Sequence, residues 1–307
     1  TTGINKIRNQ IYDGVEKNIL KVQKRIFSIN APTGSGKTLT VLNAAIKLKE
    51  KLGNNYKIIY ALPFTSIIDQ NFEVFNEVLD NPGSEILIKH HYLSEKEYKL
   101  PYDSLDVDSS EYFIENWDSQ IIVTTFVQLL HSLLSNRNRK LKKFYNFSNS
   151  IIILDEVQAV NHKYWKLINI VLKELVEKMN SYLILTTATL PLIFEKEEIE
   201  ELVPDIETYF SKFNRIKLNN EYRDGEIELK DFLDLAIEKI NKHNKKSNLL
   251  VFNTIKSSLE AYEFFEENLT DYEIFYLSSN ILPIHRRKRI DIIREKIKKD
   301  TKIILIS

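Results

Sequence analysis

The octapeptide Ala31-Pro32-Thr33-Gly34-Ser35-Gly36-Lys37-Thr38 decides the fold of this chain. The sequence has only 7 glycines in 307 residues, and two of them lie in this short segment, which indicates a special backbone conformation. A β-rich apolar run at residues 25–30 precedes the octapeptide, and an amphipathic pattern at residues 39–51 follows it. Strand, tight glycine loop and helix in this order predict a phosphate-binding loop, because loop amides and the positive end of a helix attract phosphate oxygens.

The residue types in the loop predict distinct contacts with ATP. We expect Lys37 to reach the β and γ phosphates and the Thr38 hydroxyl to hold Mg²⁺. Ala31 stands where such loops usually begin with glycine. An ordinary turn is the alternative, and the flanking strand and helix argue against it. The nucleotide-binding residues expected from the loop are Thr33, Gly34, Ser35, Gly36, Lys37 and Thr38.

Alternation of short apolar runs with longer amphipathic segments extends outward from the loop and predicts a parallel α/β fold. The run Ile151-Ile152-Ile153-Leu154 is continuously apolar, as expected for a strand covered by helices on both faces. The predicted strands are residues 25–30, 56–62, 86–90, 120–124, 150–154, 181–185, 248–252, 273–277 and 302–306. The predicted helices are residues 39–51, 66–79, 126–134, 164–179, 232–240, 255–265 and 284–297.

A polar, turn-prone stretch at residues 219–225 suggests two domains. We assign residues 1–212 to an ATP-binding domain and residues 213–307 to the first part of a second α/β domain. We expect an acidic helix at residues 195–201 and a solvated loop in the acidic segment 103–118. The last strand has no following helix in the sequence, so we expect an incomplete domain with an exposed apolar face at Ile303–Ile306.

Composition limits the other functions open to the chain. It has no cysteine, which excludes disulfides, thiolate zinc sites and cysteine nucleophiles. Lys+Arg and Asp+Glu are both 43, so any surface for a polyanion must be local. No apolar run approaches the ~18 residues of a membrane span, and no signal peptide is evident, so we expect a cytoplasmic protein without membrane contact. The first residue is not Met, which suggests a piece of a longer protein.

Acidic residues follow the most apolar strand directly. Asp155 and Glu156 therefore lie at the carboxyl edge of the predicted sheet, where ligands bind in open α/β folds. We expect Asp155 to hold Mg²⁺ through water and Glu156 to polarise the water that attacks the γ phosphate. A helix N-cap is the structural alternative for such a pair.

Other strand ends carry hydroxyl and amide side chains. Thr187 and Thr189 follow the sixth predicted strand, where they could link the hydrolysis site to a neighbouring domain. Residues 61–66 and 124–128 are strand ends that lead into helices, so their amides and hydroxyls could receive the phosphates of a polynucleotide. The residues expected to do so are Pro63, Thr65, Thr125 and Gln128.

The order of these motifs resembles that of superfamily 2 helicases, and in particular the CRISPR-associated helicase–nuclease family of type I interference systems. The motifs that carry the resemblance are Tyr60-Ala61-Leu62-Pro63-Phe64-Thr65-Ser66, Thr124-Thr125-Phe126-Val127-Gln128, Asp155-Glu156-Val157-Gln158, Thr187-Ala188-Thr189-Leu190-Pro191, Leu250-Val251-Phe252-Asn253-Thr254 and Leu277-Ser278-Ser279-Asn280 with His285-Arg286. They span nearly the whole chain.

The resemblance implies tandem RecA-like domains, the second incomplete, because the last two family motifs and their arginines are absent from the sequence given. It implies an ATP-dependent translocase that moves along single-stranded DNA and unwinds the duplex ahead. It also implies recruitment by a crRNA-guided surveillance complex. It adds Gln158 to the catalytic group and Gln10 as a reader of adenine. It adds Asn253, Thr254, His285 and Arg286 to the nucleic-acid contacts. The histidine–aspartate (HD) nuclease of the family, fused or separate, has no candidate residues in this sequence.

Two other functions remain open. A P-loop phosphotransferase acting on a small molecule would share the nucleotide site, but it does not explain a second α/β domain or the ordered strand-end motifs. An RNA-remodelling helicase of the same superfamily would differ mainly in the sugar of its substrate, and no residue pattern here reads a 2′-hydroxyl.

Overall fold

The computed structural model describes residues 3–91, 107–187, 193–213, 227–243 and 247–307. The chain divides into two compact units, Thr1–Lys217 and Leu218–Ser307. Both units alternate helices with parallel strands, so the predicted α/β fold class is confirmed. The functional division at residues 212 and 213 stays a prediction.

The first unit contains eight α-helices and seven strands among its described residues. The helices are α1 (Gly3–Ile19), α2 (Lys37–Leu52), α3 (Thr65–Val78), α4 (Val107–Asn116), α5 (Phe126–Leu134), α6 (Asn138–Leu141), α7 (Trp165–Lys178) and α8 (Ile206–Lys212). The strands are β1 (Ile26–Asn30), β2 (Lys57–Leu62), β3 (Leu87–His90), β4 (Ile121–Thr125), β5 (Ser150–Asp155), β6 (Tyr182–Thr187) and β7 (Glu200–Glu201).

These strands form one parallel sheet in the order β3-β4-β2-β5-β6-β1-β7. The carboxyl ends of β1, β2, β4, β5 and β6 therefore meet at one edge, which is where every strand-end motif of this unit begins. In β5, Ile151 and Ile153 belong to one apolar cluster and Ile152 and Leu154 to the other. The continuous apolar run thus has the predicted cause, which is burial of both faces of the strand.

Helix α1 was not among the predicted helices, although its sequence carries a clear pattern. Ile11, Val15 and Ile19 are fully buried and recur every four residues, so one face of the helix packs against α2 in the first apolar cluster. The polar residues between them lie on the outer faces. This packing brings the first turns of α1 to the glycine loop that follows β1.

The second unit contains α9 (Leu229–His243), β8 (Ser247–Leu250), α10 (Ile255–Asn268), β9 (Glu273–Tyr276), α11 (Pro283–Lys298) and β10 (Ile303–Ile306). Its strands form a parallel sheet in the order β8-β10-β9. The central strand is the last one in sequence. The apolar core of the second unit is built by α9, α10 and the inner face of this sheet.

The expectation of an exposed apolar face at Ile303–Ile306 was wrong. Ile303, Ile304 and Ile306 are buried, because β10 lies between two other strands and its side chains are covered. The exposed apolar residues of this sheet lie on and just after the edge strand β8, at Leu249 and Val251. Position in the sheet, rather than position in the sequence, decides exposure here.

Two expectations about acidic segments were also wrong. Residues 195–201 form turns and then the two-residue strand β7, which pairs with β1. Glu201 is held there by hydrogen bonds from the Ser28 hydroxyl and from the backbone N–H of Asn30 and Val203. The acidic segment before Asp118 contains α4 rather than only a loop, because its Ile114 packs into the core.

None of the described helices is long and apolar enough to cross a membrane.

Candidate functional site

The glycine loop after β1 has the backbone that a phosphate-binding loop requires. Gly34 and Gly36 have φ values of 79° and 87°, in the left-handed region that favours glycine, and α2 begins at Lys37. A Cβ added at Gly36 would meet no atom within 4 Å, so the backbone angle and not crowding demands glycine there. The loop thus ends with the amides of a helix start turned outward.

Two buried polar side chains of this loop have no hydrogen-bond partner among the described residues. They are the Ser35 hydroxyl and the Lys37 ammonium, and both polar atoms are buried. Buried polar atoms are normally hydrogen-bonded, so a bound group must supply the missing partners. Phosphate oxygens next to the start of a helix satisfy both requirements, and the loop residues therefore fit ATP.

The acidic pair faces this loop. Lys37 Nζ lies 3.6 Å from Glu156 Oε1, so the predicted cation and the predicted water-activating carboxylate share one pocket. Glu156 has a φ of 53°, an unusual left-handed conformation for a residue of its type. Gln158 donates a hydrogen bond to Glu156, and Thr187 Oγ1 donates one of 2.7 Å to Gln158. Four predicted site residues, from the ends of three strands, are thus connected.

Asp155 is buried beneath them at the end of β5. Its carboxylate accepts hydrogen bonds from the Thr186 hydroxyl and, at 2.5 Å, from the Tyr60 hydroxyl. Burial raises the pKa of Asp155, and these two hydrogen bonds oppose part of the shift. Burial and the adjacent Asp155 charge raise the pKa of Tyr60 well above its usual value, so the hydroxyl keeps its proton and remains a donor.

Helix α1 contacts the loop through Arg8 rather than Gln10. Arg8 Nε and Nη2 both donate to the carbonyl oxygen of Gly34, at 3.0 and 2.8 Å. Gln10 is exposed two residues further along the helix, and its predicted contact with adenine stays a prediction. Sequence reasoning gave Arg8 no role. Its only signal was its position two residues before Gln10.

The predicted polynucleotide contacts of the first unit lie where β2 and β4 end. Thr65 begins α3 two residues after the half-buried Pro63. Thr125 is mostly buried and caps α5, because its hydroxyl accepts a hydrogen bond from the Gln128 backbone N–H. The pairing of Leu62 with Thr125 places these two strand ends side by side. Thr189 lies outside the described residues.

The predicted contacts of the second unit have mixed local roles. Asn253 and His285 are exposed. Thr254 caps α10 by accepting a hydrogen bond from the Ser257 backbone N–H. Arg286 is half-buried and donates to the backbone carbonyls of Ser279 and Ile281, at 3.3 and 3.2 Å. Its guanidinium thus stabilises the turn before α11 in addition to any contact with phosphate.

A parallel α/β fold whose phosphate loop faces an acidic pair, with predicted nucleic-acid contacts on the adjacent strand ends, defines a helicase-type P-loop ATPase. The chain belongs to the DEAD/DEAH box helicase family, because the sequence model of that family matches residues 7–197. Members of this family are nucleic-acid-dependent ATPases.

The described residues contain no group of three or more His, Asp or Glu that could hold a metal ion.

Within this family, the chain is similar to CRISPR-associated nuclease/helicase Cas3 proteins. It is 34% identical over 192 residues to that of Haloferax volcanii, which covers 58% of this chain and 20% of the relative. It is 28% identical over 300 residues to that of Methanothermobacter thermautotrophicus, which covers 90% of this chain and 34% of the relative. The matched regions thus span about a fifth and about a third of the lengths of these relatives. The resemblance stated from the motifs is confirmed.

Solved structures show the same fold. The structure of T. fusca Cas3 with AMPPNP aligns with a TM-score of 0.70 at 14% identity, over 98% of this chain and 41% of that one. The DUF1998 helicase MrfA bound to DNA aligns with a TM-score of 0.60 at 15% identity, over 96% of this chain and 41% of that one. At these identities the likeness establishes the fold alone.

Proposed function

We propose that this chain is the ATP-hydrolysing motor of a type I CRISPR helicase that moves along single-stranded DNA. The observation that carries the proposal is the meeting of Lys37 and Glu156 at the sheet edge where the strand-end motifs also begin. ATP hydrolysis and strand contact would then act on the same set of parallel strands. Such motors work because ATP and hydrolysis alternately favour two arrangements of their domains.

Each residue of the site has a distinct task in this proposal. The loop amides and Lys37 hold the β and γ phosphates, and the Ser35 hydroxyl gains the partner that it lacks among the described residues. Glu156 accepts a proton from the attacking water, while Gln158 keeps its carboxylate in position. Thr187 connects Gln158 to the end of β6, which suits the coupling role predicted for that motif.

The residues also fit Mg²⁺. Thr38 lies at the start of α2 and Asp155 at the end of β5. Both side chains offer oxygen ligands, which Mg²⁺ prefers. When bound, the ion would neutralise phosphate charge during hydrolysis. Mg²⁺ dependence is part of the proposal.

The finer features of the proposal come from the family. They are travel along single-stranded DNA, unwinding of the target duplex, and recruitment by a crRNA-guided surveillance complex. Degradation of the target DNA by an HD nuclease and a cytoplasmic location also belong to them. Both curated relatives are named as nuclease/helicases, which supports the pairing with a nuclease. The matched region lies within a longer relative in each case.

The test compares ATP turnover by the full-length protein with single-stranded DNA, single-stranded RNA, and small phosphoryl acceptors. We expect single-stranded DNA to stimulate hydrolysis strongly, and the stimulation to weaken as salt rises, because phosphate contacts release counterions. A strand-displacement assay then measures unwinding. Turnover that ignores DNA and rises with a small acceptor would favour the phosphotransferase, and preferential stimulation by RNA would favour an RNA-remodelling enzyme.

A further inference from the structure

Tyr60 lies at the centre of the site, although no motif assigns it a task. Its side chain is fully buried in β2, and its hydroxyl lies near Asp155, the last residue of the apolar strand β5. Tyr60 pairs with Ile153, so Asp155, two residues further along β5, lies on the same face of the sheet. This register explains why the Tyr60 hydroxyl reaches Asp155 Oδ2 at 2.5 Å.

The Tyr60 hydroxyl has two hydrogen-bond partners from different elements. It donates its only proton to Asp155 and accepts from Asn71 Nδ2 at 3.4 Å. A phenol has one proton to donate, so the bond to Asp155 sets the direction of the hydroxyl. Asp155 is one of the two residues that would hold Mg²⁺.

Helix α3 holds Tyr60 at two points. Asn71 contacts its hydroxyl, and the ring of Phe75 packs edge-on against its ring with the centroids 5.0 Å apart. Residues four apart lie on the same face of a helix, so one face of α3 determines where Tyr60 sits. The same helix begins at Thr65, in the motif expected to contact the polynucleotide.

We propose that Tyr60 is a positioning residue that holds Asp155 in place for Mg²⁺ and, through Asn71, links this carboxylate to α3. A displacement of α3 on polynucleotide binding would move the Tyr60 hydroxyl, and with it the Asp155 carboxylate. The first part of the inference concerns the metal alone. The second part rests on the proposed function, because it requires that a polynucleotide binds at the start of α3.

The metal part is tested by binding, without turnover. The Tyr60→Phe variant keeps the ring and removes only the hydroxyl, so its packing against Phe75 is retained. Tyr56→Phe is the matched control, because Tyr56 is also buried and its hydroxyl also has a partner, Asn180 at 2.7 Å. The readout is the affinity for a fluorescent, non-hydrolysable ATP analogue as Mg²⁺ is titrated.

We expect Tyr60→Phe to need about tenfold more Mg²⁺ for half of the full effect on analogue binding, as for other residues that orient metal ligands. Affinity without Mg²⁺ should match that of the unmodified protein, and Tyr56→Phe should match it throughout. An unchanged or lower Mg²⁺ requirement in Tyr60→Phe would overturn the inference. Should that variant fold poorly, Thr186→Val, which removes the other hydroxyl from Asp155, provides a comparison at the same carboxylate.

The link to α3 is tested with Asn71→Leu, which has similar volume and cannot donate. We expect this variant to lose a larger fraction of its stimulation by single-stranded DNA than of its basal turnover. Full stimulation would overturn the link. If the unmodified protein itself shows no stimulation by DNA, the proposed function fails instead, and the Mg²⁺ titration still decides the role of Tyr60.

Discussion

Lys37 and Glu156 carry opposite charges 3.6 Å apart in the site, and the Glu156 carboxylate also accepts a hydrogen bond from Gln158. The ion pair therefore compensates part of the charge of the Lys37 ammonium, although the two atoms lie beyond hydrogen-bond distance. A bound γ phosphate would compete with Glu156 for the lysine. The carboxylate would then be released toward the water that it activates.

Substitutions at these two residues should separate binding from chemistry. Lys37→Ala should weaken ATP binding and abolish hydrolysis, because it removes the phosphate-bound cation. Glu156→Gln should bind ATP normally and hydrolyse it at least 100-fold more slowly, since an amide is a poor proton acceptor. Equilibrium binding and single-turnover hydrolysis measured on the same preparations provide the comparison. Undiminished turnover in Glu156→Gln would remove this residue from the catalytic group.

Arg8 offers a second prediction at the scale of a residue. Its two hydrogen bonds hold the carbonyl of Gly34, whose peptide unit also contains the N–H of Ser35, and this N–H donates to Pro32 at 3.2 Å. Arg8→Ala should raise KM for ATP several-fold with a smaller change in kcat, because the loop loses its orientation and not its charges. Lys6→Ala, an exposed change on the same helix, is the control. A pure loss of kcat would contradict this role.

At the scale of elements, β7 ties the far end of the first unit to the glycine loop. Glu201 accepts hydrogen bonds from Ser28 and Asn30 of β1, directly before the loop. Burial raises the pKa of Glu201, although its hydrogen bonds act in the opposite direction. A carboxyl group in this condition binds its proton more tightly in the folded state than in the unfolded state.

The pH dependence of stability follows from that shift. The favourable contribution of protonated Glu201 is complete below its unfolded pKa, near 4.5, and is lost as pH rises through the higher folded value. Glu201→Gln keeps an acceptor for both backbone N–H groups and cannot ionise. Its melting temperature relative to the unmodified chain should therefore increase from pH 4 to pH 7. A constant difference across this range would show that Glu201 does not titrate differently in the two states.

Helix α5 gives a further prediction, because its N-cap is also a candidate polynucleotide contact. Thr125→Ala removes the acceptor for the Gln128 N–H and should lower the free energy of unfolding by about 1 kcal/mol. Thr125→Ser keeps the hydroxyl and should retain most of the stability. Urea denaturation measures both effects. The affinity of the serine variant for single-stranded DNA, measured alongside, separates the capping role of Thr125 from its role as a polynucleotide contact.

The elements that sequence predicted well are those with a strong local pattern. Strands β2, β5 and β6 have apolar runs that end in recognisable motifs, and α5 was predicted to the residue. Strand β7 could not be predicted, because two residues carry no periodicity and its hydrogen bonds join positions more than 170 apart in sequence. Tyr60 was missed for the same reason, since its contact with Asp155 depends on the register of β2 against β5. The loop residues and the acidic pair could be proposed from the sequence because their chemistry is contained in adjacent residues.

At the scale of the whole molecule, the two units differ in the depth of their cores. Strand β5 lies in the interior of a seven-stranded sheet with an apolar cluster on each face. Strand β10 is the central strand of a sheet with only three described strands, and the described core of its unit is one smaller cluster. Each unit should therefore open with its own free energy, and the second should open more readily.

Hydrogen exchange tests this difference directly. Amides of Ile152 and Ile153 should exchange more slowly than those of Ile304 and Ile306, although all four residues are fully buried. Mass spectrometry of peptic fragments resolves the two strands. Equal exchange rates would indicate that the two units unfold together as one cooperative structure.

Glu156 has one more consequence, for the laboratory evolution of this protein. Among the described residues with positive φ other than glycine, all are Asn or Asp except Trp117 and Glu156. The left-handed backbone costs such a residue about 1–2 kcal/mol, which glycine would not incur. A screen that rewards heat resistance alone should therefore enrich Glu156→Gly and collect inactive clones. A screen that demands turnover would retain glutamate, and the position would report which of the two pressures was applied.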